Sequence, residues 1–315
     1  PMKRPDIRQE VLEILVQLFH DYGVEDFEMF FALALHRRMT EAEIKRCVGD
    51  DLFEEYYPDR LYNMDAENPD EMKFIGETDQ GEEVEIVRRA AESDLLIYVN
   101  VNFVPMNGGY KSIGTGMSGY RSIRHHHNPD TILKSDSYMD PESSELYDKN
   151  TRMGRLLNEE LDIFHIETAL NNKMYDDQLD FLAVPEEQWT PSDHMKFRSF
   201  QWALDKAPRN AKRTLFHKVP ADYGVIGCYA GRTEAVHQKT LEKCWQQHVV
   251  EVEGQSDVVL YGIPFESPYN VNSIMNPLLV RVMALGYFFN MYRGKPLIKE
   301  GGTLIVTHPC YDDFD

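Results

Sequence analysis

Short apolar runs alternate with amphipathic stretches along this chain, and that alternation admits few architectures. In DLLIYVNVNFVP, residues 94–105, the apolar Leu95, Leu96, Ile97, Val99 and Val101 predict a buried strand that runs directly into a glycine-rich segment. Earlier, Val11, Leu12, Leu15, Leu18 and Phe19 fall at helical spacing over 9–22, and YGVED then turns the chain into FEMFFALAL, a short apolar run ending at Leu35. Thr40-Glu41-Ala42-Glu43 has the form of a capping box and predicts a helix start near Thr40. His36 and Arg37 then lie at the carboxyl edge of a strand, where open α/β sheets place their ligands.

The alternation continues downstream. A helix is predicted at 153–161, a strand at 223–229, a helix at 232–248, a strand at DVVLYGIP, a helix at 278–292 and a last strand at GGTLIVTHP. Strands separated by helices imply an α/β fold with mostly parallel sheets. The stretch 172–220, aromatic and basic from 189 to 217, fits least well and reads as an insertion. A length of 315 residues favours two domains: 1–250, and 251–315 as the start of a second, incomplete one. An opening Pro1 and an abrupt close on CYDDFD add the expectation that natural sequence is missing at one or both ends.

Charge restricts the partners. With 33 Lys plus Arg against 53 Asp plus Glu, the net charge of −20 opposes nucleic acid and anionic lipid, and a small anion would need a local positive pocket. Cys47, Cys228, Cys244 and Cys310 lack CxxC spacing, so neither a disulfide framework nor a thiolate zinc site is indicated, and a reducing cytoplasm fits. Apolar runs such as FFALAL fall far short of the roughly 18 residues a membrane helix needs.

The candidate chemistry is concentrated in GGYKSIGTGMSGYRSIRHHHNP, residues 108–129. A Walker A reading fails, because Val104 occupies its first glycine position and Tyr110 intervenes before Lys111. GxGxxG is present at 114–119, but the preceding strand ends too early for a dinucleotide fingerprint. Lys111 reads either as a phosphate contact or exposed cation, or as a desolvated amine that is a nucleophile or cofactor anchor. On a helix, only one of His125, His126 and His127 is a realistic metal ligand; in an extended segment His125 and His127 would share a face, and surface histidines at a helix end are the plain alternative. His36 reads as a general base or as a ring bonded to a nearby carbonyl. His20, His165, His194, His217, His237, His248 and His308 have no evident partners and read as structural.

On these residues the chain resembles the nickel-pincer lactate racemase family of 2-hydroxyacid racemases and epimerases. The likeness runs through most of 8–171 and again through 223–309. It is carried by ALHRRMTEAEI, which matches the family's Gly-Thr-His-Arg-Pro-Met-Thr block, by RRAAESDLLI, and by GGYKSIGTGMSGYRSI followed by histidine. The resemblance implies a nickel-bearing pyridinium mononucleotide tethered to Lys111, with Gly108 and Gly109 letting backbone approach it. It implies nickel ligation by His127, sixteen residues on, and His36 as the base that takes the hydroxyl proton. The active site would lie in a cleft between two α/β domains. The reaction implied is racemisation or epimerisation of a 2-hydroxyacid or sugar-acid-like substrate by transient hydride transfer, with cofactor-biosynthesis proteins as further partners.

The chain also departs from the family. The second family histidine aligns with Val101, flanked by Asn100 and Asn102, and an asparagine orients a hydroxyl but takes no proton near neutral pH. Around Asn270 and Asn272, the other candidate substrate contacts, a family Tyr-Gln pair becomes Ile274-Met275 and a lysine becomes Leu278. The family's Asp-Asp-x-Thr-Arg-Pro block would lie before Pro1. Two other readings therefore stand beside the first: a zinc or other divalent-metal hydrolase or lyase using the histidine tract, and a noncatalytic binding protein on the same scaffold.

Overall fold

The structure is a computed structural model and describes residues 7–102, 104–137, 140, 143–173, 175–218, 224–263, 280–281, 283–287, 289 and 291–308. Asn270, Asn272, Ile274, Met275, Leu278, Cys310 and parts of the helix expected at 278–292 lie outside them.

In chain order the elements are α1 (Arg8–Asp21), β1 (Met29–Phe31), α2 (Glu41–Val48), α3 (Asp50–Tyr56), β2 (Leu61–Asn63), β3 (Met72–Glu77), β4 (Glu83–Val87), α4 (Arg88–Ala91) and β5 (Leu96–Asn102). There follow α5 (Gly109–Gly116), α6 (Tyr120–Ile123), α7 (Pro129–Leu133), α8 (Glu145–Glu160), β6 (Ile163–Leu170), α9 (Pro191–Lys206), α10 (Arg209–Lys218), β7 (Val225–Gly231), α11 (Thr233–His248), β8 (Ser256–Gly262) and β9 (Ile298–Thr307). The protein is thus mixed α/β. Parallel pairing predominates, in β1–β2, β5–β6 and β8–β9, but among the described residues the strands form four small sheets, with β3–β4 and β6–β7 antiparallel.

The strand β6 is not evident from the sequence. Its run IFHIETAL directly follows a helix and carries His165 and Glu167 inside an apolar stretch, which obscures the pattern of a buried strand. It is nonetheless the central strand of the β5-β6-β7 sheet, and it is almost wholly buried.

Two apolar cores hold the N-terminal part together. One is built from Val84, Ile86, Val87, Leu96, Ile113, Met117, Met153, Leu157 and Ile163, so it fastens α5 and α8 to the hairpin and the central sheet. The other joins α1, α2 and α3 to β2 through Val16, Ile44, Val48, Leu52, Tyr56 and Leu61. Truncating a fully buried Ile113 or Leu157 to alanine costs about 2–5 kcal/mol. Close approach of α5 to α8 needs small residues on both sides: Gly114 lies over the backbone of Asn150 and Gly154, and a Cβ on Gly154 would stand 2.5 Å from that of Tyr110.

The predicted capping box is present. Thr40 accepts from the Glu43 N–H, and the Glu43 carboxylate accepts from the Thr40 N–H at 2.7 Å. Strands β8 and β9 pair only with each other among the described residues and have their own small apolar cluster around Ile263, Met283 and Ala284. They are tied to the preceding part by the Tyr292 hydroxyl on Asp136 O at 2.5 Å and by Arg293 stacked 3.6 Å above Trp245.

Candidate active site

Lys111 lies on a helix rather than in a loop. It is the third residue of α5, and the chain reaches that helix from the carboxyl end of β5 through residues 103–108. Its ammonium donates to Met106 O at 3.1 Å. Burial brings the amine from its usual 10.5 down to about 8, so a substantial fraction is neutral and nucleophilic near neutral pH.

The histidine tract follows the short helix α6, and its backbone is pinned from several directions. The Asn128 side chain donates to Arg124 O and His125 O at 2.9 Å each, and Lys149 on α8 donates to His125 O at 3.0 Å. The three rings then diverge. His125 turns to Glu83, with Nε2 to Oε2 at 3.3 Å; Glu83 also takes Arg121 and Arg124 and is held down at about 2 by these partners, Arg121 foremost. His126 is buried, and burial pushes it down to about 2.

His127 is exposed to solvent, yet enough protein surrounds it for desolvation to bring it to about 4. The positive charge of Lys111 and the charge of His36 add to that depression, so these three side chains share one electrostatic neighbourhood. His36 arrives on a turn in which Ala34 has φ of 50° and donates its N–H to Gly116 O at 2.9 Å, which ties the turn to the end of the helix that carries Lys111. The adjacent Arg37 clasps Glu43 through both guanidinium nitrogens at 2.9 and 2.7 Å.

His127 Nδ1 meets His126 Nδ1 at 2.6 Å, which leaves His127 Nε2 as the nitrogen for a ligand. Among the described residues no three His, Cys, Asp or Glu side chains converge on a point that would hold a metal ion. A zinc site made from the histidine tract alone therefore lacks a ligand set there. The donor set suits a group that brings most of its own metal ligands and takes one amine and one imidazole from the protein. In that sense Lys111 and His127 fit the cofactor the resemblance implies.

Behind this site is a buried polar network that sequence reasoning missed. Glu167 on β6 is fully buried. Its Oε1 accepts the Gly109 N–H at 2.5 Å, and its Oε2 accepts Asn102 Nδ2 at 2.9 Å and faces His237 Nδ1 at 3.2 Å. His165 Nε2 lies 3.3 Å from Glu167 Oε1 and 2.5 Å from Asn100 Oδ1, while Asn100 donates to Asn102 Oδ1 at 2.7 Å. Burial pushes the Glu167 carboxyl up, but His237, His165 and the Gly109 N–H outweigh it and leave the group lowered.

Asn100 and Asn102, expected as substrate contacts, thus commit their amides to this network. His165 and His237, read as structural without partners, both have Glu167. A glutamate two residues after a histidine inside an apolar run is the signal that was available. Gly108 and Gly109 have φ of 91° and 57°; a Cβ on the first would collide with Asn102 and Glu167 and on the second with His237, so on that side the glycines make room for protein. Two surface recesses, of about 610 Å³ beside Gln255, Pro296 and Gly301 and about 390 Å³ beside Glu28, Arg38 and Arg89, are lined by neither Lys111 nor His127. Among the described residues no helix is long and apolar enough to cross a membrane.

Comparison with known proteins follows the same lines. Residues 2–140, which include His36, Lys111 and His127, match the family model of the lactate racemase N-terminal domain. A lactate racemase from Thermoanaerobacterium thermosaccharolyticum is 31% identical over 104 residues, 32% of this chain and 24% of that enzyme. The lactate racemase apoprotein structure from the same organism superposes with a TM-score of 0.56 at 19% identity, over 83% of this chain and 51% of that one. A structural-genomics crystal structure of a Thermotoga maritima protein gives 0.58 at 13% identity, over 96% and 63%. These likenesses establish the fold, and the chain spans only about half to two thirds of the structures it matches. Over residues 2–140, somewhat less than half of the chain, the protein is thus similar to the N-terminal domain of lactate racemases, as a divergent relative.

Proposed function

We propose that this protein is an isomerase that racemises or epimerises a 2-hydroxyacid or a sugar-acid-like substrate, using a nickel-pincer nucleotide joined to Lys111. The observation that carries the reading is the desolvated Lys111 amine, whose charge acts on the solvent-exposed His127 imidazole, the ring whose Nδ1 is engaged by His126 and whose Nε2 faces outward from that contact. When bound, the group would supply the hydride acceptor for the carbon that bears the substrate hydroxyl.

The protein's own residues have separate tasks. Lys111 would hold the group covalently and His127 Nε2 would complete the metal's coordination, the ring staying neutral and able to ligate at any pH well above about 4. His36, on its tethered turn, would take the hydroxyl proton and return it. The second family histidine is Val101 here. Its strand neighbours Asn100 and Asn102 project to the opposite face, into the Glu167 network, so one protein base serves the reaction and solvent completes the proton balance on the other side. That arrangement favours epimerisation of one centre in a larger substrate over symmetric racemisation. Enzymes that assemble the nickel group are the partners this reading requires.

The experiment is turnover on a panel of 2-hydroxyacids and aldonic acids, with protein produced beside the cofactor-building enzymes. Solvent deuterium should be absent from the inverted carbon, because the hydrogen moves as hydride. His36→Ala should reduce kcat about 100-fold or more. Deuterium incorporated at that carbon, or a His36→Ala variant of full activity, would overturn the reading.

A further inference from the structure

We propose that Glu167 is the positioning residue for Lys111: its carboxylate, buried among β5, β6 and α11, fixes the N-terminus of α5 through the Gly109 N–H. Gly109 is the first residue of that eight-residue helix, and Lys111 is two residues further on, in the same turn. A shift of the Gly109 amide therefore becomes a shift of the lysine stem.

The network has the features of a device that fixes direction. A fully buried carboxylate is costly unless it is surrounded by donors, and here donors or imidazoles reach it from the helix start, from Asn102 on β5, from His165 on its own strand and from His237 on α11. Its negative charge also sits where the positive end of the α5 dipole lies. The fit leaves no slack, since the Cβ positions of Gly108 and Gly109 are already filled by Asn102, Glu167 and His237. An apolar residue at 167 would fill the volume but leave the Gly109 N–H without an acceptor and the helix start free to rotate. Lys111 itself is placed by its stem and by its bond to Met106 O. The orientation of the helix start therefore decides whether the amine is held in its desolvated position near His126 and His127 or turns to water.

This inference rests on Lys111 being the site's working amine, but its test reads the bare lysine in the full chain without any cofactor. The measurement is trace acetylation from pH 6.5 to 10, with Lys111 compared with the exposed Lys299 by peptide mass analysis. In the unsubstituted protein Lys111 should react with a midpoint near 8. In Glu167→Met, which fills the volume but offers the Gly109 N–H no acceptor, the midpoint should move toward that of an ordinary lysine, and the rate at pH 7.5 should fall at least about tenfold, because a higher midpoint leaves a smaller share of the amine neutral at that pH. Glu167→Gln, whose amide oxygen can still accept that N–H, should keep the original midpoint. Leu52→Ala, in the separate core around α3, should destabilise the fold without moving the midpoint.

A folded Glu167→Met with the original midpoint, or a Leu52→Ala that shifts Lys111 equally, would overturn the proposal. Should Glu167→Met not fold, His237→Gln and His237→Leu take its place. The glutamine retains a donor for Glu167 Oε2 and should preserve the midpoint, whereas the leucine should shift it; identical behaviour of the two would refute the role. If the protein never acquires the nickel group yet shows this dependence, only the proposed reaction is lost.

Discussion

The imidazoles of His126 and His127 meet Nδ1 to Nδ1 at 2.6 Å, so one ring donates, the other accepts, and a single proton lies between them. A ring that is to bind metal through Nε2 must carry its proton on Nδ1, which makes His126 the acceptor that sets the tautomer of His127. His126→Ala should leave the fold intact but weaken nickel retention about 10–100-fold, the usual effect of removing a partner of a metal-binding histidine. Dialysis against a graded chelator series, followed by metal analysis, measures it.

The pH dependence of that retention follows from the same ring. Desolvation, with help from Lys111 and His36, holds His127 near 4, below the usual 6.5 of a histidine. Protons therefore compete with metal for this nitrogen only as pH falls toward about 4. Nickel should stay bound from pH 7 to 5 and be lost below that, and a release midpoint near 6.5 would show that the ring is not desolvated.

Lys111 places function and stability in opposition. Its folded value of about 8 lies below the unfolded 10.5, so the unfolded state binds more protons between those values and this group's contribution to stability rises with pH across that window. Below pH 8 the folded protein carries the desolvation cost, on the order of 3 kcal/mol before relief by solvent around the partly exposed side chain. Lys111→Met should therefore raise the urea midpoint of the cofactor-free protein at pH 7 and erase covalent loading.

Glu43 has the opposite sign. The Arg37 guanidinium, more than the Thr40 hydrogen bonds, holds it at about 2 against the usual 4.5. Its stabilisation is present above pH 4.5 and is lost as pH falls toward 2. Glu43→Gln should flatten stability across that range and, through the weakened cap of α2, cost about 1 kcal/mol at pH 7, measured by urea titrations at several pH values.

Gly154→Ala tests the contact between α5 and α8. The added methyl would press on Tyr110 at 2.5 Å, part of the backbone wall of the lysine helix, so a loss of about 1–3 kcal/mol is expected in thermal unfolding.

What could be read from the sequence was local. Thr40 and Glu43 are three residues apart and announce their helix. The apolar run over Leu96–Asn102 announces β5, and the Lys111 and His127 singled out in the sequence lie near enough in the folded chain for the charge of one to act on the other. The Glu167 network was hidden because its members come from four elements: Asn102, Gly109 and His237 lie 65, 58 and 70 residues from Glu167, and only the parallel and antiparallel pairings of β6 bring them together. The glycine-rich segment was legible as a place of close approach. What approaches on the Cβ side of Gly108 and Gly109 is protein, and no local pattern distinguishes that from a ligand.

The most direct measurement is the intact mass of the protein made alongside the cofactor-building enzymes, with metal analysis of the same sample. The account predicts an adduct on Lys111 accompanied by equimolar nickel, and neither in Lys111→Arg. An unmodified Lys111 in protein from a host that loads a lactate racemase under the same conditions would contradict it.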